Sequence, residues 1–512
     1  MIDTKALREK ILDLAMRGKL VPQDPNDEPA SELLKRIKAE KEELIKQKKI
    51  KRDKSETEIF RGDDNLHYEK FADGTVKVID VPYELPKEWE WAKLVSLSAT
   101  VSVPMADGPF GSNLKSSHYT SDKEVRIIQL SNIGEDGQWK EANTKYTTFE
   151  HLKTIQRSEV KSGDLVIAKM MPAGKAIITP NSEKAYVLSS DAVKLVPNKS
   201  INSDLLLKFI NSNTFREQVY VEVQGITRAR TSLSKLKNYL VPIPPIEEQE
   251  KILVVLDKYY ELISLVDNEQ QSIQKLATQL KQKVLDVAMH GKLVPQDPND
   301  EPASVLLEKI RAEKQRLFEE GKLKKKDLVE TEIVKGDDNA YYEKDSVSNL
   351  NEISIHYERP KGWLTSRVLD MIFTIPSKKY QIKQSDIKPS GRYPVISQSA
   401  NEIEGYSCLD SKVFHISEPL VIFGDHTRNL KLVSEPFIVG ADGVKILSSI
   451  YSEPEFLKLQ LQQILQFVKD RGYARYWSYL EKEWISFPSL LIQEKIIHKI
   501  NQVDEAVDLF LQ

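Results

Sequence analysis

The sequence predicts an α+β protein: two α+β domains joined and separated by long antiparallel coiled-coil helices, in a pseudo-two-fold circular arrangement. Three observations predict it. A long segment near the N-terminus returns in the middle of the chain. An unbroken heptad pattern spans 246–289. The two blocks between the repeated segments mix short β-rich runs with helical stretches.

Composition bounds the fold before any motif is read. At 512 residues the chain exceeds one ordinary core, and 40% hydrophobic with 29% charged residues is the balance of a water-soluble protein. No run of 18 apolar residues predicts a membrane span, and the N-terminal MIDTKALREK lacks a signal peptide's apolar centre. The one cysteine, Cys408, leaves no intrachain disulfide or cysteine metal site, so a cytoplasmic location is expected. A net charge of −3 does not advertise nucleic-acid binding, although basic and acidic residues can be segregated between modules.

The repeat is the strongest signal. GKLVPQDPNDEPAS at 18–31 recurs unchanged at 291–304, and Leu33, Leu34, Ile37, Ala39, Glu40, Lys41 and Leu44 recur 273 positions later. After one inserted residue, Glu56-Thr57-Glu58-Ile59 and Gly62-Asp63-Asp64 match Glu330-Thr331-Glu332-Ile333 and Gly336-Asp337-Asp338, and the likeness fades at Trp89 and Trp363. A second repeat closes each block: Pro244 and Gln249-Glu250-Lys251-Ile252 match Pro488 and Gln493-Glu494-Lys495-Ile496. Between these edges, 95–240 and 365–485 show no convincing match. The pattern is that of fixed scaffold around two free heads; a duplication without functional meaning is the alternative.

From Ile246 to Met289 there is no proline or glycine. Ile252, Leu256, Tyr259, Ile263, Val266, Ile273, Ala277, Leu280, Val284 and Val287 step by fours and threes, with Gln270 in the one polar slot, which is a coiled-coil seam. Forty-four residues make about 66 Å of helix. So long a helix needs a partner. Ile496, Ile500, Val503, Val507 and Phe510 occupy the seam positions of its first half, and Leu7, Ile11 and Leu14 those of its last. The chain's two ends are therefore expected to meet and pack beside the central helix. The domains read as 1–80 (N-terminal helix and arm), 81–245 (first block), 246–355 (central helix and arm), 356–490 (second block) and 491–512 (C-terminal helix). In each arm a proline-rich loop precedes a short amphipathic helix near 30–49 and 303–320, and the tails near 50–80 and 323–355 are expected to be flexible. The basic run IKQKKIKRDK from Ile45 reads first as a solvated face and second as a phosphate contact.

Both blocks carry short strands bounded by turns, such as VRIIQL 125–130, DLVIAKM 164–170, YPVIS 393–397 and PLVIFG 419–424. Lys and Arg outnumber Asp and Glu by 19 to 14 over 107–241 but only by 15 to 14 over 364–488.

Several stretches make the chain similar, over essentially its full length, to the specificity subunits of type I restriction–modification systems. LPKEWEWAKL 85–94 and RPKGWLTSRV 359–368 resemble the start of that family's target-recognition domains. DGPFGSNLK 107–115, GDLVIAKM 163–170, RYPVISQS 392–399 and FGDHTRNLK 423–431 resemble stretches within them. TRARTSLSKLKNYLVPIPPIEEQ 227–249 and GYARYWSYLEKEWISFPSLLIQE 472–494 resemble their ends. The second end departs from the usual double proline with Pro488-Ser489. The resemblance implies a DNA-binding, non-catalytic subunit of a phage-defence complex that reads a bipartite target, one half-site per block. It also implies partners: two methyltransferase subunits on the coiled coil and arms, and two motor-nuclease subunits. S-adenosylmethionine, ATP and Mg would belong to those partners, with no cofactor on this chain.

Arginine suits bidentate contact with guanine or phosphate, and amides and hydroxyls read base edges. The candidates for DNA contact are Lys115, Arg126, Lys169, Arg228, Arg230 and Thr231 in the first block. In the second they are Ser397, Gln398, His426, Arg428, Lys431, Arg471 and Arg475. For each, a surface ion pair is the bland alternative, and Trp89 and Trp363 read as core anchors. No GxxxxGK[ST], GxGxxG, NPPY-type tetrapeptide, HExxH or histidine cluster occurs, and Glu159-Val160-Lys161 lacks the acidic companion of a nuclease site. The rival reading is a coiled-coil scaffold whose heads bind proteins rather than DNA.

Overall fold

The computed structural model describes residues 1–512 except 136, 171–172, 222–230, 298, 329–331, 339, 345–349, 357–361 and 441. The chain forms two compact units, Ile2–Gln270 and Gln271–Gln512, the second of which also takes Met1.

In the first unit the N-terminal helix Thr4–Met16 starts at Asp3, whose carboxylate accepts from the Ala6 N–H at 2.9 Å. It ends at Gly18, where φ is +63° and a Cβ would lie 2.4 Å from the Pro86 ring, so only glycine fits. The helix runs antiparallel to the first part of the central helix Ile246–Met289: the Thr4 hydroxyl donates to Asp267 at 3.0 Å and Arg8 to Ser264 at 2.6 Å. Gln270, the polar slot of the heptads, brackets the Ile2 backbone. Its Oε1 accepts from the Ile2 N–H at 2.6 Å and its Nε2 donates to the Ile2 carbonyl at 3.1 Å. Ile11, Leu12, Ala15 and Met16 join Ile252, Leu256 and Ile263 in one buried cluster.

The second unit repeats this with the other terminus. The C-terminal helix Leu490–Leu511 lies along 281–289, with the Lys281 ammonium 2.8 Å from Asp508 and 3.9 Å from Asp504. Leu285, Ala288 and Met289 are buried with Ile492, Ile496 and Ile500. The Met1 ammonium donates to the Gln512 carbonyl at 2.6 Å, so the chain's first and last residues meet, as the split seam predicts.

The seam itself needs correction. Leu7, Tyr259, Ile273, Leu280 and Phe510 are exposed, and Leu14, Val266, Val284, Val287 and Val503 are only half-buried, whereas Val507 is buried. The half-buried Tyr260 takes the inward position beside Tyr259, with Arg8 and Lys208 over its ring. At the far end the buried residues are Leu285 and Ala288, one step beyond the predicted 284 and 287. An α-helix drifts about 20° per heptad from a strict 3.5 repeat, and over about five heptads that amounts to one residue.

The arms also depart from expectation. The tails read as flexible form three-stranded antiparallel sheets: Glu58–Arg61, His67–Lys70 and Val76–Ile79 in one unit, and Glu332–Lys335, Tyr341–Lys344 and Leu350–Ile353 in the other. Four-residue strands give too short an alternation to read, and tertiary contacts order them. Lys41, almost wholly buried on the arm helix Ala30–Lys46, pairs with Glu56 at 2.7 Å and donates to the carbonyls of Val95 and Ser96. In the basic run, Arg52 turns back to pair with Glu42.

Each variable block is closed by its own ends. The opening strand Glu90–Lys93 pairs antiparallel with the closing strand Leu240–Ile243; Leu364–Arg367 pairs likewise with Trp484–Phe487. Inside each block lies a four-stranded antiparallel sheet. Its strands are Met105–Asp107, Leu165–Ala168, Ala176–Ile178 and Ala192–Leu195 in the first block, and Ile372–Ile375, Leu420–Gly424, Leu430–Val433 and Val444–Ser449 in the second. In sequence order, both sheets run third, second, fourth, first. A second sheet holds one parallel pair, Val125–Ile128 with Tyr186–Leu188, and Tyr393–Ile396 with Ile438–Val439. The two blocks share the four-stranded sheet, the parallel pair and the closing strand pair, although the second sheet has five strands in the first block and three in the second.

Candidate nucleic-acid interface

In that strand order the first and second strands point the same way, because each is antiparallel to the fourth. The loop after the first strand and the hairpin after the second therefore leave the sheet at one end. A third segment joins them, the one just before each closing strand's short helix. The Thr231 N–H donates to the Lys169 carbonyl at 2.8 Å, and the Tyr476 N–H donates to the Asp425 carbonyl, also at 2.8 Å. The same backbone bond at the same topological position defines a loop cluster in each block.

In the second block this cluster gathers most of the predicted residues. His426, Thr427 and Arg428 form the hairpin after Leu420–Gly424, and Arg428 sits at φ +62°, a conformation uncommon for non-glycine residues. Its guanidinium pairs with Asp470 at 3.2 Å and lies over the Tyr476 ring. Gln398, at the end of the parallel strand, fixes the hairpin: its Oε1 accepts from the His426 N–H at 3.2 Å and its carbonyl accepts from the Asn429 amide at 2.9 Å. Asp425 is buried and accepts from the Trp477 N–H at 2.8 Å. The Asp470 carboxyl is held below the usual carboxylate range by the Gly472 N–H, then by the Tyr476 hydroxyl and Arg428. Arg471 and Arg475 are exposed at the rim. Ser397 is buried and donates to Glu404 at 2.9 Å, bracing the cluster from behind.

Other candidates point inward. Lys431 is 2% exposed and donates to the Asn401 carbonyl, and burial pulls its ammonium below the usual lysine range. In the first block Arg126 is fully buried on a central strand, its Nη2 3.4 Å from the Ala142 carbonyl, while Nε and Nη1 have no hydrogen-bond partner. Lys169 is buried and paired with Asp107 at 2.7 Å, and Thr231 is buried, 3.1 Å from the Tyr239 hydroxyl. As placed, these four side chains face the interior of their domain. A strand-centre residue in a stretch such as VRIIQL takes whichever face the second sheet dictates, which the sequence alone does not show. Lys115 is exposed on the loop after the first strand. Arg228 and Arg230 lie outside the described residues.

The sequence reading missed Asp107, Asp425 and Asp470, the acidic residues that fix the loops, and the aromatic residues Phe110 and Tyr473. Asp107, Phe110, Asp425 and Tyr473 all lie inside motifs named above, and only Asp470 lies outside them.

Among the described residues no helix is long and apolar enough to cross a membrane, and no group of three or more His, Cys, Asp or Glu is arranged to hold a metal ion.

Residues 119–275 match the family model described as the type I restriction modification DNA specificity domain. The chain is similar to type I specificity subunits. It is 33% identical over 380 residues to the type I restriction enzyme EcoAI specificity subunit of Escherichia coli. It is 32% identical over 383 residues to the EcoEI specificity subunit of the same organism. Each alignment covers 63% of this chain, and the chain spans 57% of the length of either relative. A solved chain from work on complex assembly and conformational transition of the type I R-M system aligns at 15% identity, over 84% of this chain and 93% of that one, with a TM-score of 0.49.

Proposed function

We propose that this protein is the DNA specificity subunit of a type I restriction–modification complex, in which each variable block reads one half of a bipartite duplex site. The observation that carries the reading is the pair of loop clusters: two blocks with one four-stranded sheet topology and unrelated sequence, each framed by nearly identical connectors. Fixed frame with free loops is the arrangement a reader needs when the target changes but the assembly does not. A duplex is held through phosphates by basic side chains and read through base edges by a few residues. In the second block the rim residues Arg471 and Arg475, with Gln398, His426 and Arg428 behind them, supply both kinds of group; in the first, Lys115 supplies a cation for phosphate, and Arg228 and Arg230 are proposed to contribute.

The helices are the proposed docking surface for two methyltransferase subunits, with two motor-nuclease subunits joining for restriction. Support comes from a second apolar stripe on the central helix. Val254, Leu262 and Leu265 are exposed on its part in the first unit, and Ile273, Leu276 and Leu280 on its part in the second. The subunit itself is proposed to be non-catalytic and to work in the cytoplasm, with S-adenosylmethionine, ATP and Mg bound by its partners. Mapping modified adenines in the host genome tests the reading. It predicts two short half-sites at a fixed spacing; a motif without a gap, or heads with no salt-dependent DNA affinity, would favour a protein-binding scaffold. Inserting four residues in 271–280 lengthens the helix by about 6 Å. At about 3.4 Å per base pair, the accepted spacer should grow by one or two base pairs.

A further inference from the structure

Two side chains stand out once the loop clusters are assembled. Tyr473 is 84% exposed and Phe110 is 81% exposed, more than any other large apolar side chain among the described residues. One belongs to each block, and each rises from the loop end of its four-stranded sheet. Burying a large aromatic ring is strongly favoured, so a ring held in water on an ordered loop is maintained against that tendency.

Specific contacts fix the loop that carries Phe110 and the ring of Tyr473 itself. Phe110 sits on the loop after Met105–Asp107. The loop's first residue, Gly108, lies so close to the sheet that a Cβ there would be 1.7 Å from the Ser189 carbonyl oxygen. Its far end is pinned by two histidines, His118 and His151, whose rings lie 4.1 Å apart and are tilted 33° to one another. The Asn113 carbonyl is 2.8 Å from His151 Nε2, and the Lys115 N–H donates to His118 Nδ1 at 3.1 Å. Tyr473 stacks flat on His426, centroids 4.4 Å apart and planes 4° from parallel, and His426 Nδ1 is 3.0 Å from the Ala474 carbonyl. One face of the tyrosine ring is covered and the other is open. Exposed basic residues lie close to both in the chain: Lys115 five residues after Phe110, and Arg471 and Arg475 two residues either side of Tyr473.

We infer that Phe110 and Tyr473 are the apolar probes of the two blocks, each packing on the C5-methyl group of a thymine in the major groove of its half-site. Phenylalanine offers no hydrogen bond, so its only gain against a base edge is apolar contact, and the thymine methyl is the apolar feature of the major groove. The neighbouring lysine and arginines anchor the phosphates and bring the ring to the groove. This rests on the DNA-reading function proposed above.

The test uses the full chain with its methyltransferase subunits, and duplexes carrying the mapped site with thymine or deoxyuridine in one half-site at a time. Removing the contacted methyl should weaken wild-type binding about fourfold, the equivalent of one buried methyl group. The loss should disappear in Tyr473→Ala for one half-site and in Phe110→Ala for the other, with the salt dependence unchanged. Arg475→Ala should instead lower the salt dependence by about one phosphate contact. If the wild type binds DNA and the alanine variants keep its affinity and full sensitivity to deoxyuridine, the inference is wrong. Variants that bind DNA normally but no longer capture the methyltransferase subunits would also overturn it, making the rings protein contacts. If the wild type shows no DNA binding at any salt concentration, the DNA-reading function itself falls, and this inference with it.

Discussion

The two connectors share sequence and differ in a few contacts, whereas the two blocks share the topology of their four-stranded sheet and almost no sequence. The connectors show what cannot vary. Gln249 and Gln493 hold the junction between block and helix in the same way. Gln249 Oε1 accepts from the Asn202 N–H at 2.8 Å and its Nε2 donates to the Pro244 carbonyl at 3.4 Å. Gln493 Oε1 accepts from the Glu453 N–H and the Ser452 hydroxyl at 2.9 Å, and its Nε2 donates to the Pro488 carbonyl at 2.9 Å. The blocks show what can vary: a backbone bond from the closing segment to the hairpin recurs, but Lys169 in one block becomes Asp425 in the other. Conserving a frame through backbone bonds frees side chains at the loops.

The connectors are not perfectly equivalent. Glu248 accepts from the Trp89 indole at 3.0 Å and from Gln23 at 3.2 Å, and burial raises its carboxyl above the usual range. At the matching place in the second unit stands Ile492, which lines a cavity of about 330 Å³ with Trp363, Gln296 and Pro302. Glu90, on the opening strand, lines a cavity of about 600 Å³ with Trp91, Phe60 and Phe71, and burial pushes its carboxyl up to about 7; its counterpart is Leu364.

These comparisons can be broken in order of expected effect. Gln493→Ala and Gln249→Ala should each cost about 2–3 kcal/mol, because each strands buried backbone groups. Denaturant unfolding would show the equivalence broken if only one did. Glu248→Ala should cost about 1–2 kcal/mol by leaving the Trp89 indole without its acceptor, with no parallel loss in the second unit; an unchanged melting temperature would mean the indole finds another partner. Glu90→Gln should sharpen the pH contrast. The folded-state carboxyl titrates near 7 and the unfolded one near 4.5. The wild type therefore loses stability as pH rises from 4.5 through 7, and below 4.5 Glu90 carries no penalty. The substitution should gain roughly 1–2 kcal/mol at pH 8, after allowing for partial solvent screening, and nothing at pH 4. A pH-independent gain would assign the effect to packing instead. Lys281→Ala removes an exposed pair with Asp508 and should change stability by less than about 1 kcal/mol.

Much of this was legible in the sequence, and for physical reasons. Fourteen identical residues, a proline- and glycine-free heptad run and matching seam residues at the two ends determine the scaffold down to the meeting of Met1 and Gln512. The seam residues drifted by one because helical and heptad periods differ. The arm sheets were hidden because strands of four residues leave no readable alternation. The shared block topology was hidden because fully buried strands such as Leu165–Ala168 and Leu420–Gly424 need only aliphatic bulk. At the site, charge guided the choice of residues. That led to Arg471, Arg475 and the His426 hairpin at the surface, but also to Arg126 and Lys431, whose orientation only the tertiary structure supplies.

The central claim is that each block reads one half-site independently. Replacing residues 356–490 with the corresponding block of another specificity subunit, then mapping methylated adenines in cells that carry the methyltransferase, tests it most directly. The account predicts that one half of the bipartite motif changes while the other half is kept. A motif that changes in both halves, or in neither, would contradict it.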